Sequence, residues 1–435
     1  MDQLIDQYDY VATILIELAE KKIRTCGSFS DLPKVSPRLH KFFTKGELCS
    51  DLLMGAKERG LSGMRIVTPS VMIPLTEMLE HALPKDFSDK VLKSMVRPKR
   101  IALRGGDGRR YLIMCKPNDE LRKDARFMDV NRMMNSLMRQ NADARRRQLS
   151  VRTFSVIPLQ EAGGIVEWVP NLTPYRGVLQ PLFEEKGDPL ADAQWFTNWN
   201  ATSSLEDRLD RLRSVFYRRY PLVMAEWFRR QFPDPSVWYA ARLGFARSCA
   251  VMSMIGFVLG LGDRHGENIL IDVMEGCVVH VDFNLIFHKG EYLPVREVVP
   301  FRLTRNMVNG FGPTGVEGSF RRSCESTLRV MRENKDTLLT VIQTFVHDPL
   351  LEWINTEARA QQNKGRGQQK LNAPSTESVQ LILKRLEGHI VSPEVYKHKF
   401  SCAPMSLEGQ VAKLIDIASD EKNLAQMYIG WGPFI

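Results

Sequence analysis

The chain contains no C-x-x-C pair, and its seven cysteines (Cys26, Cys49, Cys115, Cys249, Cys277, Cys324, Cys402) are odd in number and widely spaced. That pattern argues against a disulfide framework and against a zinc site, and it places the chain in a reducing compartment. No apolar run reaches the roughly 20 residues a membrane span needs. The longest, Ala250 to Leu261, spans about a dozen residues and is expected to be a buried core helix of a soluble protein. The first residues, MDQLIDQYDY, have neither the basic nor the apolar region of a signal peptide, so the sequons at Asn171 and Asn200 are read as chance. No G-x-x-x-x-G-K-[ST] occurs, which disfavours a P-loop enzyme, and no internal repeat points to a solenoid. Neither sign of charge dominates strongly. Lys plus Arg exceed Asp plus Glu by nine, but the basic residues are dispersed, so the excess only weakly favours phosphate-bearing or acidic partners.

What is present is the composition of an ordinary globular protein, with 43% hydrophobic and 26% charged residues over 435 positions, enough for two or three packed units. Residues 1 to about 90 carry a helical periodicity (Leu4, Ile5, Val11, Ile14, Leu15, Leu18) broken by Pro33, Pro37, Gly60 and Gly63. From Pro98 to Val169 the runs RIALRGG, RRYLIMCK, RTFSVIPL and GIVEWV predict a small antiparallel sheet carrying one helix, Leu121 to Arg139. Helical segments take over from Leu205 to Leu261. Two short strands, NILIDV and VVHVDF, follow a charged turn, and helices resume from Pro300 to Trp353. The polar stretch Glu357 to Ser378 is expected to be a mobile connection. An amphipathic unit closes the chain from Leu407 to Ile435. The expected class is therefore α+β and bilobal: a small β-rich lobe, then a larger helical one, with a ligand in the cleft between them.

The charged turn is GLGDRHGENILIDV, Gly260 to Val273. Asp263 and Asn268 stand at the Asp-to-Asn interval of the protein-kinase catalytic loop, although here the histidine, His265, follows the acid. One hairpin later Asp282 leaves a β-run in HVDFN. An amide oxygen and a carboxylate on adjacent segments suit Mg²⁺, which takes hard oxygen ligands. Taken singly, Asp263 as an Asx turn and Asn268 as a turn residue bonded to its own backbone are the better readings. Their joint spacing favours phosphoryl transfer. Lys116, at the end of RRYLIMCK, either snorkels outward or meets an anion in the cleft, and the second option supplies a phosphate contact. Asp124, on the following helix, could pair with Lys116, line the back of a nucleotide pocket or lie on a solvated face. Gly105, Gly106 and Gly108 form a turn that could lay backbone N–H groups over phosphates or simply close a hairpin. Trp168 and Val169 could contact adenine where the lobes join, by ring stacking and a backbone hydrogen bond, although a tryptophan at a strand end is more often core.

Together GLGDRHGEN, HVDFN, VPFRLTRNMVNGFGP and MYIGWGPFI resemble the catalytic end of the phosphatidylinositol 3-kinase-related protein kinases, over about residues 90 to 435, with CKPNDELRKD and DFNLIFHKGE closest to their checkpoint branch. The resemblance implies a PI3/PI4-kinase type fold with a C-terminal FATC unit. It divides the chain into a helical lead-in (1–90), kinase N-lobe (91–169), C-lobe (170–355), flexible regulatory linker (356–404) and FATC domain (405–435). It assigns Asp263 to the substrate hydroxyl, His265 to the developing charge on the phosphate, Asn268 and Asp282 to the metal, Lys116 to the phosphates and Glu167 to Val169 to the adenine hinge. ATP with Mg²⁺, or alternatively Mn²⁺, is implied as cofactor. The activation loop would run from Asp282 to Pro300. Two positions depart from the family pattern: Asn284 where relatives commonly have glycine, and Phe154 where they often have tyrosine.

Within that loop Lys289 and Arg296 are offset by Glu291 and Glu297, which is no clamp for an anionic lipid head group, so a protein hydroxyl is the expected acceptor. The resemblance further implies Ser/Thr-Gln sites, DNA damage checkpoint and repair signalling, and a nuclear location. It implies an ATRIP-like regulatory partner bound through regions mostly outside this chain, indirect recruitment to DNA, no membrane, and homodimerisation of a full-length form. Family members carry long helical arrays ahead of the kinase and this sequence shows none, so it is read as a portion of a larger protein. A pseudokinase scaffold, the alternative, predicts a missing base, lysine or metal ligand, and all are present.

Overall fold

The computed structural model describes residues 2–20, 37–38, 87–91, 98–104, 110–117, 119–160, 163–186, 204–346, 375–390 and 403–435. The chain divides into two compact units, one of Met1–Met128 with Phe154–Pro170, the other of Asp129–Thr153 with Asn171–Ile435.

The first unit is built on a five-stranded antiparallel sheet: β1 (Phe87–Val91), β2 (Lys99–Arg104), β3 (Arg110–Pro117), β4 (Val156–Gln160) and β5 (Gly163–Glu167), in the order β1-β2-β3-β5-β4. Strand β1 precedes the point where the strand pattern was read to begin. Its sequence, FSDKV, has no alternation to announce it, and pairing with β2 defines it. RTFSVIPL yields a strand only from Val156. Helix α1 (Asp2–Glu20) lays its apolar stripe, Ile14, Leu15, Leu18 and Ala19, into the core beside β3, as its 3.6-residue period requires. β3 and β5 run close where Lys116 faces Gly164. A Cβ at Gly164 would lie 2.3 Å from the Ile157 carbonyl oxygen, so only glycine lets the neighbouring strand approach.

Helix α2 (Arg122–Gln140) matches the expected Leu121–Arg139 within a residue. α3 (Ala142–Arg146) follows it, capped by the Asn141 side chain. The rest of the second unit is mainly helical: α4 (Tyr175–Glu185), α5 (Leu205–Arg211), α6 (Met224–Gln231), α7 (Pro235–Leu259), α8 (Arg305–Phe311), α9 (Ser319–Glu333), α10 (Lys335–Val346), α11 (Ser375–Leu386), α12 (Leu407–Ser419) and α13 (Glu421–Gln426). α7 starts with Asp234 as N-cap and Pro235 in its first turn, a strong start signal. By length and composition it could cross a membrane, but 78% of its most apolar window is buried inside the protein, which makes it the core helix that the run Ala250 to Leu261 predicted. It packs on α9. A second sheet joins β6 (Leu172–Pro174), β7 (Ile269–Asp272) and β8 (Val278–His280), all antiparallel. β6 is unforeseen, since a three-residue strand carries no period.

The stretch expected to be a mobile connection reaches into α11. There Leu381, Ile382 and Leu386 are buried, an apolar face hidden in sequence by its polar neighbours. Residues 357–374 of that stretch lie outside the described residues.

Candidate active site

The charged turn is shaped by the end of α7. Gly260 takes the left-handed conformation (φ 64°) that terminates the helix, and Leu261 N–H closes the cap on the Gly256 carbonyl at 2.8 Å. The chain returning from β8 packs on this end: Phe287 N–H donates to Leu259 O and His288 N–H to Gly260 O, both at 3.0 Å. A Cβ at Gly260 would fall 2.2 Å from His288 Nδ1, so the glycine is required by contact as well as by φ.

Asp263 is also left-handed, at φ 58°, and so is Asp282 at 60°. Aspartate tolerates this region at some cost, and the surroundings hold both residues there. Asp263 N–H donates to Glu297 Oε1 at 2.8 Å. Its carboxylate is half-exposed, and burial pushes it above the usual carboxylate range, opposed by His265 and Arg264. His265 Nδ1 accepts the Glu267 N–H at 3.1 Å, and Nε2 lies 3.9 Å from Asp263 Oδ2. Burial holds the imidazole below the usual histidine range. A neutral ring that accepts at Nδ1 carries its proton on Nε2, the nitrogen facing Asp263.

Asn268 is buried and donates from Nδ2 to the Asp263 carbonyl at 2.9 Å and towards its carboxylate at 3.4 Å. The amide is thereby oriented so that Oδ1 is the atom that could serve as a ligand. Asn268 and Asp282 are tied across the hairpin, Val281 N–H donating to Asn268 O at 3.1 Å. The Asp282 carboxylate accepts Asn284 N–H at 3.4 Å, and Asn284 itself is exposed. Asp263, His265, Asn268 and Asp282 are thus brought together. One amide oxygen and one carboxylate form a hard donor pair that fits Mg²⁺. Among the described residues no cluster of three His, Cys, Asp or Glu could hold a metal, so the remaining positions would fall to water and substrate phosphates, the arrangement Mg²⁺ favours.

Three organising residues had no role assigned from sequence. Arg264, 4% exposed, donates from Nε to Gly262 O at 2.8 Å, from Nη1 to Val281 O at 2.8 Å and Asn268 O at 3.4 Å, and from Nη2 to Asp282 O. The Glu297 carboxylate lies against Gly262 and Gly290, where added Cβ atoms would meet it at 2.4 and 2.2 Å. Arg302 joins the turn to the C-terminus, donating to Arg264 O at 3.3 Å, Trp431 O at 2.6 Å and Gly432 O at 2.8 Å. Arg264 and Arg302 lie inside motifs visible in the sequence and Glu297 in the loop between them, but a charge turned to backbone partners leaves no periodic mark. Glu297, counted in the sequence only as an offset to the loop's basic residues, thus also takes part in the turn by accepting the Asp263 N–H.

In the first unit Lys116 Nζ pairs with Asp119 Oδ2 at 3.1 Å, both side chains about one-fifth exposed. Asp119 was not singled out in the sequence. Asp124 is buried at the start of α2. Glu167 ends β5 and accepts Ser155 N–H at 2.9 Å. Trp168 follows the strand rather than ending it, with its N–H on Leu112 O at 3.0 Å and the Arg100 guanidinium 5.2 Å over its ring. Val169 and Phe154 are buried. Gly105, Gly106 and Gly108 lie outside the described residues.

An acid, a neutral histidine and two oxygen donors on a glycine-ended helix and its hairpin fit a phosphotransferase type of site. Residues 110–355 match the phosphatidylinositol 3- and 4-kinase family and residues 404–435 the FATC domain. The chain belongs to the phosphatidylinositol 3- and 4-kinase family. It is 43% identical to the serine/threonine-protein kinase ATR of Drosophila melanogaster over 79% of this chain and 13% of that protein. It is 40% identical to protein kinase rad3 of Schizosaccharomyces pombe over 80% of this chain and 14% of that one. Among solved structures, the FAT and kinase domain of CtTel1 superimposes with a TM-score of 0.78 at 29% identity, covering 100% of this chain and 28% of the other. The chain therefore spans only 13 to 14% of the length of these two relatives.

Proposed function

We propose that this chain is the catalytic portion of a serine/threonine protein kinase that transfers the γ-phosphate of ATP to protein Ser or Thr hydroxyls followed by Gln. The observation that carries the reading is the Asp263 turn, with His265 and Asn268 on one segment and Asp282 on the next, in a chain about two-fifths identical to checkpoint kinases over most of its length. Asp263 accepts the proton of the attacking hydroxyl. Its raised proton affinity suits a base better than a fully solvated aspartate would. His265, neutral with its proton on Nε2, donates a hydrogen bond to charge developing on the transferring phosphoryl group. Asn268 and Asp282 would hold the divalent ion, which when bound neutralises phosphate charge. Lys116 contacts the phosphates, Asp119 orienting its ammonium, and Asp124 lines the nucleotide site. Glu167, Trp168 and Val169 form the adenine hinge, with Arg100 supporting the indole from one face.

By likeness to the same relatives, the whole protein acts in the nucleus in the DNA damage checkpoint and in repair. It would work with an ATRIP-like regulatory partner, be recruited to DNA indirectly and form a homodimer. Residues 405–435 serve as the FATC domain and 91–355 as the two kinase lobes. The test is phosphorylation of a Ser-Gln peptide by the purified chain with Mg²⁺ and ATP, alone and with its regulatory partner. Activity that requires the glutamine and disappears in Asp263→Ala supports the proposal. Equal rates in that variant and wild type would overturn it.

A further inference from the structure

The arginine between Asp263 and His265 is spent in an unusual way. It is a nearly inaccessible cation, yet its hydrogen bonds go to backbone carbonyls: Gly262 before the acid, Asn268 and Asp282 on either side of the hairpin, and Val281 beside the latter. The Phe283 ring, itself fully buried, lies 5.7 Å from the guanidinium carbon. Burying a cation costs several kcal/mol before compensation, part of which the nearby carboxylates of Asp263 and Glu297 supply. The donors of the fork itself reach backbone carbonyls on both sides of the hairpin. Two of its acceptors are the carbonyls of Asn268 and Asp282, the residues that would hold the metal.

We infer that Arg264 is a positioning residue for the metal site: its guanidinium bridges the carbonyls of Asn268 and Asp282 and so sets the spacing of the two ligands. The inference rests on the kinase reading above for the identity of those ligands. Asp282 sits in a left-handed conformation (φ 60°), with a long bond of 3.4 Å from the Asn284 N–H to its carboxylate. The Arg264 bond to its carbonyl holds the peptide in that orientation, and with it the direction in which the carboxylate leaves the backbone. The Asn268 side is fixed twice, by this bond and by the Asn268 amide on Asp263 O. A planar fork with five donors can span the two strands, whereas a lysine ammonium reaches one group of carbonyls at a time and cannot span both. Groups that orient metal ligands from behind commonly govern affinity by 10- to 100-fold, on the order of the ligands' own influence.

The experiment uses the full chain as wild type, Arg264→Lys and Arg264→Gln. The glutamine keeps a two-donor amide as a partial bridge. Mn²⁺ binding in the presence of a non-hydrolysable ATP analogue is read by electron paramagnetic resonance, and the Mg²⁺ dependence of Ser-Gln peptide phosphorylation is measured beside it. The expected result is a Mn²⁺ affinity weakened by about tenfold or more in the lysine variant and by less in the glutamine variant. The Mg²⁺ requirement should rise in parallel and the KM for peptide stay unchanged. Mn²⁺ affinity indistinguishable from wild type in the lysine variant overturns the inference. So does unfolding of both variants under conditions where wild type is folded, since the arginine would then hold the fold and not the ligands. Wild type that binds Mn²⁺ and nucleotide but phosphorylates no peptide counts against the protein-kinase reading and leaves this inference standing.

Discussion

Arg302 lies over Trp431, its guanidinium carbon 4.2 Å from the indole centroid, while the same side chain donates to the Trp431 carbonyl at 2.6 Å. Burial of this arginine, 2% exposed, lowers its pKa to about 10. The contact couples the last turn of the chain to the Arg264 carbonyl in the charged turn. Phe434 continues the same anchorage, 4.7 Å from Phe216 and 4.6 Å from Tyr220 between ring centroids.

Trp431→Ala should therefore cost about 3–5 kcal/mol of stability, the range for removing a buried aromatic, and should lower activity through the Arg302 link. Urea unfolding of the variant checks this. A midpoint equal to wild type would mean that the C-terminal turn is not anchored as described.

Gly262→Ala should lower kcat more than it lowers stability. The added methyl would sit 2.4 Å from Glu297 Oε2, so the carboxylate must move and the Asp263 N–H loses its partner. Leaving a fully buried donor unpaired costs about 1–3 kcal/mol, and this part-buried one should cost less. Steady-state kinetics beside thermal unfolding separates the effects, and unchanged kcat with a lowered Tm would contradict the assigned contact.

Lys116→Ala should raise the KM for ATP and lower kcat together, because the cation is expected to serve both the bound nucleotide and its transferring phosphoryl group. Asp119→Asn should produce a milder change in the same direction, since it removes only the carboxylate at 3.1 Å that orients the ammonium. Nucleotide titrations of both variants measure this. An unaltered KM in Lys116→Ala would remove the lysine from the site.

Stability should fall on mild acidification because of His288. The ring is buried, and its two nitrogens have no hydrogen-bond partner among the described residues. Burial, with Arg385 adding to it, holds the pKa well below 6.5, and Glu291 at 3.9 Å does not reverse this. The unfolded chain binds a proton near pH 6.5 that the folded chain refuses. The contribution is therefore complete above that pH and lost below it, by about 1.4 kcal/mol per pH unit. His288→Asn suits the left-handed backbone there (φ 63°) and should make the loss between pH 6.5 and 5.5 shallower, with His280 and His265, also lowered by burial, keeping part of it. Denaturant midpoints at three pH values decide it, and an equally steep loss in the variant would rule His288 out.

Much of the fold is legible along the chain because it is written in periods and punctuation. α2 and α7 are amphipathic or apolar over many turns, with Asp234, Pro235 and Gly260 marking the ends of α7. Asp263, Asn268 and Asp282 stand out by spacing alone, and a hairpin of two short apolar strands suffices to place them together. β1 and β6 are silent in sequence because each is defined by its partner strand and not by its own pattern. α11 is hidden because its apolar face is short and bordered by polar residues.

The sequence by itself determined the class of fold, the helix-ending glycine and the set of side chains able to do chemistry, since these depend on local conformation and residue type. Tertiary structure decided which charges turn inward: Arg264 to four carbonyls, Glu297 to the Asp263 N–H, and Arg302 to the last turn of the chain. A charge is buried only when partners distant in sequence converge to satisfy it, and that convergence is a property of the packed molecule.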